Sequence, residues 1–315
     1  MDDVVDYSEL IRPFDFSKCL ARFFIMNEGD GITVGYDMHH MISDATSCAI
    51  INKELNLALN GDLDDDADLG FVYASRDSFE SQFDYKYGSA YKFFSDEFAD
   101  IDEVQDILSD VDGSEGSVRL PIRDVREKVE LFTQEHGITV SNLLNAVFAF
   151  TYSRFTGSGK VYYTFTENGR HENYSQDAMG MFVRTIPVLV DCSDKSIKDY
   201  LSGVSDLILE SMSNSVYPFR LLAREFDLSN DIIFEYNYDL NDVLDIGDDI
   251  IFSDVADRVS ELLCVVNDLD DGFVVSLNHL DKISQDTAVR FVNVFKEVLV
   301  QFLDKSNSRA SKRKG

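Results

Sequence analysis

Two adjacent histidines, His39 and His40, are the residues best suited to chemistry, and Asp44 follows them closely. A histidine ring titrates near neutral pH, so it can take up and return a proton during a reaction. Residues 32–38 are apolar at every second position, which predicts a half-buried strand that runs into the pair. Because neighbours on a strand point to opposite faces, one ring can face a cleft while the other braces the fold. From the pattern alone, a purely structural pair is favoured, and proton transfer is the competing interpretation.

Metal and disulfide chemistry are not indicated by the sequence. Adjacent histidines that point apart make a poor metal pair, and no third ligand stands at a suitable spacing. The four cysteines, Cys19, Cys48, Cys192 and Cys264, are scattered and lack C-x-x-C spacing. Scattered cysteines suit a reducing compartment better than a disulfide framework. We therefore expect no metal site.

A helix capped by Ser43 and Asp44 is expected to hold the loop after the histidines, ending near Gly61. A second, very apolar helix is expected to begin after Ser141 as its cap, and it must be buried. Strands and helices are mixed without strict alternation, which favours an α/β fold with mixed sheets. Helices are predicted over residues 89–98, 123–135, 142–155, 195–212 and 285–303, and strands over 117–121, 161–166, 181–190, 232–238, 261–267 and 272–278.

The chain has 315 residues, of which 44% are hydrophobic, and its 58 acidic and 28 basic side chains give a net charge of −30. That length predicts two compact units, at roughly 100–200 residues per domain. The acidic surface repels phosphate backbones, which argues against nucleic-acid binding. An acidic start, with Asp2 and Asp3 after Met1, is unlike a signal peptide, and no apolar run is long enough to span a membrane. We expect a cytoplasmic protein that does not associate with a membrane.

Several segments together resemble one family. Residues 39–44, HHMISD, resemble the HHxxxDG signature of condensation domains in nonribosomal peptide synthetases and of the wider chloramphenicol acetyltransferase-like acyltransferases. Further segments follow in the order that this family has them, so the resemblance covers nearly the whole chain. They are residues 12–17 (RPFDFS, similar to PFDLS), 137–150 (the start of the second lobe), 168–170 (NGR), 179–187 (MGMFVRTIP, similar to GMFVNTLP), 217–219 (YPF) and 233–238 (IFEYNY).

The resemblance implies two chloramphenicol acetyltransferase-like lobes with mixed sheets, arranged as a V-shaped pseudo-dimer. The family's first lobe begins well before its PFDLS segment, so the N-terminal lobe is expected to be incomplete. The implied boundaries are residues 1–116 for a partial N-terminal lobe that carries the HHxxxD motif and residues 117–304 for the C-terminal lobe. Residues 305–315 would form a basic tail.

The resemblance also implies roles for individual residues. His40 would be the catalytic histidine, as a general base or as the group that positions the attacking amine. His39 would be structural. Asp44 would hold the loop through an ion pair, with Arg170 as the implied partner, and no metal would be involved.

Three residues near the motifs are expected to lie beside the substrate or its tunnel. They are Ser43, Ala45, which stands where the family has glycine, and Arg184, which replaces the family's usual asparagine. Glycine tolerates positive φ, so alanine implies either a shifted loop or an ordinary helical first turn. For Arg184, a surface position and a tunnel position remain open.

The reaction implied by the resemblance is amide formation between a carrier-bound acyl or peptidyl thioester and a carrier-bound amino acid amine. No covalently bound cofactor is implied, because carrier proteins would supply phosphopantetheine-tethered substrates. The partners would be peptidyl or acyl carrier domains within a larger multidomain synthetase. Two alternatives stay open: a free-standing acyl-CoA-dependent O- or N-acyltransferase of the same superfamily, and a catalytically degenerate fragment that only docks carriers.

Overall fold

The computed structural model describes residues 12–28, 31–63, 69–99, 101, 113–237 and 260–310. The chain forms two compact units. The first comprises residues 1–77 and 169–183, and the second comprises residues 78–168 and 184–315. A segment from the middle of the chain therefore completes the unit that contains the histidine pair. The lobe boundary after residue 116 stays a prediction, and residues 102–112 before it lie outside the described residues.

A two-stranded antiparallel sheet forms the start of the first unit, with β1 over Ala21–Glu28 and β2 over Gly31–Met38. The alternating pattern of residues 32–38 thus predicted β2 correctly. Phe24 lies across Gly35 on the opposite strand, where a Cβ atom would come within 2.0 Å of the ring. A side chain at position 35 would therefore displace the Phe24 ring from this place over the backbone.

Two helices follow in the first unit. A short 3-10 turn over His40–Ile42 leads into α1, which spans Ala45–Asn60. Gly61 ends α1 with φ of 78°, a left-handed conformation that glycine adopts without strain. Helix α2 spans Gly70–Ser81 and begins in this unit.

Among the described residues, the second unit is built on one mixed sheet of six strands. The strands are β3 Gly116–Ile122, β4 Lys160–Glu167, β5 Arg184–Asp191, β6 Ile232–Asn237, β7 Leu262–Leu269 and β8 Gly272–His279. The strand order is β3-β8-β7-β6-β4-β5, in which β6 pairs in parallel with both β4 and β7 while the other pairs are antiparallel. The predicted mixed α/β architecture is confirmed.

The helices described in the second unit are α3 Tyr85–Glu97, α4 Arg126–His136, α5 Val140–Thr156, α6 Ile197–Ser213, α7 Phe219–Phe226 and α8 Gln285–Ala310. Helix α5 forms the centre of this unit's core. Its side chains are apolar on nearly all sides, including Leu143, Val147 and Phe148, and all three are fully buried. An all-round apolar helix must be covered on every side, and α5 contacts the sheet, α6 and α8.

Some local predictions were wrong. Thr139, not Ser141, caps α5, because its hydroxyl accepts from the Asn142 amide. Strand β5 begins at Arg184 rather than at residue 181, because residues 181–183 belong to the first unit. Helices α2 and α7 and strand β1 were not predicted. In the described part of the chain, no helix is long and apolar enough to cross a bilayer.

Candidate active site

The site is built on the N-terminus of α1. Asp44 is the N-cap residue, and its Oδ1 accepts from both the Ser47 amide and the Ser47 hydroxyl at 2.8 Å. A carboxylate at this position satisfies free first-turn amides and interacts favourably with the positive end of the helix dipole. The cap fixes the direction in which the chain leaves the histidine turn.

Arg170 forms a buried ion pair with Asp44. Its Nη2 donates to Oδ1 at 2.8 Å and to Oδ2 at 3.1 Å, and the two side chains are only 2% and 1% exposed. The structure therefore contains the ion pair that the family resemblance implied. Its two residues lie 126 positions apart in the sequence. Buried charges of this kind depend strongly on each other, because either one alone would be left without compensation.

Arg170 also forms hydrogen bonds with the segment that follows it in the chain. Its Nη1 donates to the Ser175 carbonyl at 2.5 Å and to the Ala178 carbonyl at 2.6 Å. The guanidinium carbon lies 4.2 Å from the centre of the Phe182 ring, a cation-π contact. The Phe182 amide donates in turn to Asp44 Oδ2 at 3.0 Å. One arginine thus fastens residues 175–182 to the start of α1.

Helix α2 contacts Tyr174, which directly precedes the segment that Arg170 binds. The Tyr174 hydroxyl donates a short hydrogen bond to the Asp77 carboxylate, and the Tyr174 ring contacts Tyr73 edge-on. The hydrogen bond to Asp77 raises the pKa of Tyr174 to about 12 and lowers that of Asp77. The phenol therefore stays protonated at neutral pH and keeps donating.

His40 is exposed, and one of its ring nitrogens is engaged. Its Nδ1 lies 2.7 Å from the Ser43 carbonyl oxygen. A carbonyl oxygen only accepts, so Nδ1 carries the hydrogen and the neutral ring has its lone pair on Nε2. The contact therefore fixes the tautomer in which Nε2 can accept a hydrogen bond or a proton.

His39 is held differently. Its Nδ1 accepts a hydrogen bond from the Met41 amide at 3.0 Å, which caps the 3-10 turn. Its ring contacts Phe14 and Phe16 edge-on, with centroids 5.9 and 5.1 Å apart. Both contacts hold the ring against the turn, and the structural role that the family resemblance implies for His39 stays a prediction.

The residues next to the motif support the turn. Ser43 is buried, and its hydroxyl donates to the His39 carbonyl at 3.3 Å. Ala45 is exposed and is the first residue of α1; it is not among the described residues with positive φ. Of the two possibilities for alanine at this position, the structure has the ordinary helical first turn.

Substituting Ala45 with glycine, the residue usual in the family, is expected to change little. Because Ala45 already has a helical conformation, glycine would relieve no strain. The free energy of unfolding should fall by no more than about 1 kcal/mol, the propensity cost of glycine in a helix. A urea titration of both proteins checks this expectation, and a gain in stability would show that alanine strains the loop.

Arg184 lies in the second unit, at the start of β5. Its Nη1 donates to the Ser215 hydroxyl at 2.9 Å, and its side chain is half-buried. In the register of the sheet, Arg184 lies opposite Glu167 on β4. Arg184 and Glu167 thus form a charged pair of positions at one end of the β4–β5 pairing. A position of Arg184 beside the substrate stays a prediction.

The sequence did not identify Ser47 and Gly180 as part of this arrangement. The buried Ser47 hydroxyl lies 2.8 Å from the Gly180 carbonyl oxygen, and the Gly180 amide donates to it at 3.0 Å. A Cβ at residue 180 would come within 2.3 Å of the Phe71 ring, which explains the glycine. The sequence did contain a signal for the contact between Ser47 and Asp44. A residue three positions after a helix cap faces the capping side chain, and Ser47 occupies that position relative to Asp44.

Ser47→Ala is expected to lower the free energy of unfolding by about 1–3 kcal/mol, because the buried Gly180 amide would lose its acceptor. The Ser213→Ala variant is a matched control. The exposed Ser213 hydroxyl donates to a carbonyl within α6 at 2.7 Å, and its loss should cost about 0.5 kcal/mol. Urea denaturation of both variants gives the comparison, and equal losses would contradict a bridging role for Ser47.

Cys48 lies in the first turn of α1. Burial raises the pKa of the Cys48 thiol, and the charge of Asp44 raises it further. The thiolate is the reactive form of cysteine, so Cys48 is a poor nucleophile at neutral pH. In the described ranges, no three histidine, cysteine, aspartate or glutamate side chains are grouped to hold a metal ion.

Comparison with known proteins identifies the family. A family model described as Condensation domain matches residues 6–312. The chain belongs to the condensation-domain family. Surfactin synthase subunit 1 of Bacillus subtilis (strain 168) is 23% identical over 319 residues, which cover 93% of this chain. Bacitracin synthase 1 of Bacillus licheniformis is 25% identical over 234 residues, which cover 70% of this chain.

Solved structures of related proteins share the fold. The first condensation domain of the calcium-dependent antibiotic synthetase, in complex with a substrate analogue, matches with a TM-score of 0.67 and 15% identity, over 90% of this chain and 67% of that one. The X-domain from teicoplanin biosynthesis matches with a TM-score of 0.78 and 15% identity, over 93% and 74%. The predicted chloramphenicol acetyltransferase-like α/β fold is confirmed, and the incomplete first lobe stays a prediction.

The condensation-domain relatives are far longer than this chain. The match spans 9% of surfactin synthase subunit 1 and 4% of bacitracin synthase 1. Those proteins therefore contain much polypeptide that has no counterpart here.

Proposed function

We propose that this condensation domain forms an amide bond between an acyl or peptidyl group held as a thioester and the amine of an amino acid, as a step of nonribosomal peptide synthesis. The observation that carries the proposal is the exposure of His40 and the contact of its Nδ1. It is the second histidine of the HHxxxD motif, its ring is exposed, and its contact with Ser43 leaves Nε2 as the proton acceptor. The names of the relatives, surfactin and bacitracin synthases, support the same reaction.

In the proposed reaction, the amine nitrogen attacks the thioester carbonyl carbon, forming the C–N bond. His40 Nε2 accepts the proton that the amine loses, and the Ser43 carbonyl stabilises the resulting imidazolium through Nδ1–H. The C–S bond then breaks, and His40 returns the proton to the departing thiolate. The products are an amide and a free thiol, so no oxidant or metal is consumed.

The other site residues are proposed to support His40. The Asp44–Arg170 pair would hold the turn that carries His40. His39 would support the same turn through its ring contacts with Phe14 and Phe16. Ser43 would fix the tautomer through its carbonyl. Ala45 and Arg184 would lie beside the substrate.

The substrates are proposed to arrive on phosphopantetheine arms of peptidyl or acyl carrier proteins, with no cofactor bound to this domain. A four-domain nonribosomal peptide synthetase contains a part, 26% of its chain, that matches this fold with a TM-score of 0.75. The long relatives also fit a domain that works within a multidomain synthetase. A cytoplasmic location is part of the same proposal.

The proposal is tested by offering one acyl group on two donors, a phosphopantetheine carrier protein and free coenzyme A. An acceptor carrier loaded with an amino acid is present in both reactions. Amide formation should be at least tenfold faster from the carrier-bound donor. Faster transfer from acyl-coenzyme A would favour a free-standing acyltransferase. Docking of carriers without amide formation from either donor would indicate a degenerate domain.

A further inference from the structure

A cavity of about 360 Å³ lies in the second unit, between helices α5 and α8. Leu262 on β7 and Leu277 on β8 line it from the sheet. Phe155 on α5 and Phe291 on α8 line it from the helices, and the centroids of these two rings lie 5.1 Å apart. All of the lining residues belong to the second unit, and none of them is a residue of the candidate active site.

Two arginines line the cavity beside these apolar side chains. Arg154 on α5 lies over the Phe150 ring, 4.3 Å from its centre. Arg290 on α8 donates from Nη2 to the Thr287 hydroxyl at 2.7 Å. Among the described residues, neither arginine forms an ion pair with a carboxylate. Because a guanidinium has five N–H donors in a planar fork, both can bind an anion in addition to these contacts.

The charge of the cavity is opposite to that of the protein as a whole. The chain has a net charge of −30, yet no aspartate or glutamate is among the described residues that line this cavity. A protein of this charge repels anions at long range. An anion would therefore bind only where positive charge is concentrated locally, as it is at Arg154 and Arg290.

The size and lining of the cavity indicate a ligand site rather than a packing defect. Small-molecule sites commonly have volumes of about 300–1,000 Å³ and are mostly apolar, with a few polar groups that orient the ligand. An empty void left by imperfect packing is lined by apolar groups. Here two guanidinium groups and the Thr287 hydroxyl accompany the apolar side chains.

A second cavity provides a contrast. It has a volume of about 290 Å³ and shares Arg154, but Asp194 also lines it, together with Ser153 and Ser158. The Asp194 carboxylate would repel an anion, and the lining side chains are mostly polar. This second cavity therefore suits an anion with an apolar body less well than the cavity between α5 and α8.

The lining also indicates which anion fits. A carboxylate can accept two parallel hydrogen bonds from one guanidinium, and it carries a single negative charge. A phosphate group carries about −1.5 to −2 at neutral pH, so the acidic protein would repel it more strongly. The apolar lining requires a hydrocarbon body next to the anionic group.

We propose that the cavity between α5 and α8 binds a straight-chain aliphatic carboxylate. Its hydrocarbon chain would pack against Phe155, Phe291 and the two leucines of the sheet, which removes apolar surface from water. Its carboxylate would bind Arg154 and Arg290 through charge-assisted hydrogen bonds. This binding does not depend on the proposed amide-forming reaction.

Isothermal titration calorimetry of the full chain at physiological salt tests the proposal, with octanoate as the probe. Octan-1-ol has the same chain without the charge, and butyrate has the same charge on a shorter chain. Arg154→Gln and Arg290→Gln each remove one positive charge from the cavity. Arg220→Gln is the matched control, because Arg220 is an exposed arginine on α7 that does not line the cavity.

Octanoate is expected to bind the parent and Arg220→Gln equally. It should bind at least tenfold more weakly to Arg154→Gln and to Arg290→Gln, because each variant loses a hydrogen bond to a charged group. Butyrate should bind the parent at least tenfold more weakly than octanoate, since each buried methylene adds about fourfold to the affinity. Octan-1-ol should also bind at least tenfold more weakly. Circular dichroism should show all four proteins equally folded, because the substituted side chains are exposed.

Absence of octanoate binding to the parent would overturn the proposal, and this is the result expected if another part of the chain fills the cavity. Equal octanoate affinity in all four proteins would also overturn it, because the arginines would then play no part. So would octan-1-ol that binds as tightly as octanoate.

Discussion

Substituting Arg170 with alanine is expected to lower the free energy of unfolding by about 3–5 kcal/mol. The change would leave the Asp44 carboxylate, 1% exposed, without its counter-charge. It would also leave the Ser175 and Ala178 carbonyls without their donor. Urea denaturation followed by circular dichroism measures the loss. In the proposed active site, the same change should loosen the segment that Arg170 fastens to α1.

A surface ion pair supplies the control. Arg123 contacts Asp271 at 3.2 Å, but the two side chains are 61% and 38% exposed. Arg123→Ala should therefore cost no more than about 1 kcal/mol. A double variant, Asp44→Asn with Arg170→Met, removes both buried charges and should be more stable than Arg170→Ala. If Arg170→Ala were no less stable than Arg123→Ala, the buried pair would not hold the site together.

The second large effect is expected at His40. The His40→Ala variant should form amide about 10²–10⁴-fold more slowly than the parent, the usual contribution of a general base. Its free energy of unfolding should change by no more than about 1 kcal/mol, because the exposed ring makes one hydrogen bond, to Ser43. The rate of amide formation with loaded carriers measures the effect. Met41→Ala, at an exposed neighbouring position, should keep the parent rate.

Asparagine at position 40 separates proton transfer from positioning. Its amide can donate to the Ser43 carbonyl as His40 Nδ1 does, but it cannot accept a proton at neutral pH. His40→Asn is expected to lose activity as fully as His40→Ala. A nearly normal rate in His40→Asn would mean that the residue positions the amine and that another group takes the proton.

The parts of the site that lie close in sequence were predictable. Strand β2, the histidine turn and the Asp44 cap follow from local alternation and capping. Arg170 lies 126 residues from Asp44, and no local pattern links them. Only the order of motifs shared with condensation domains brought these two residues together.

The errors arose where distant contacts override the local pattern. Phe182 follows an apolar residue and resembles strand, but its amide bonds to Asp44 and the segment joins the first unit. Strand β1 contains the consecutive apolar residues Phe23, Phe24 and Ile25, which show no alternation. Its strand conformation depends on pairing with β2, including the space that Gly35 leaves for Phe24. Such dependence cannot be predicted from either segment alone.

The central claim is that this domain transfers an acyl group to an amine with His40 as the proton acceptor. Intact-protein mass spectrometry of the two carriers after a single turnover tests it most directly, with the parent and His40→Asn proteins compared. With the parent, the donor carrier should lose the acyl mass and the acceptor carrier should gain it. With His40→Asn, this transfer should be at least about 100-fold slower. No mass gain on the acceptor with the parent, or transfer by His40→Asn at the parent rate, would contradict the claim.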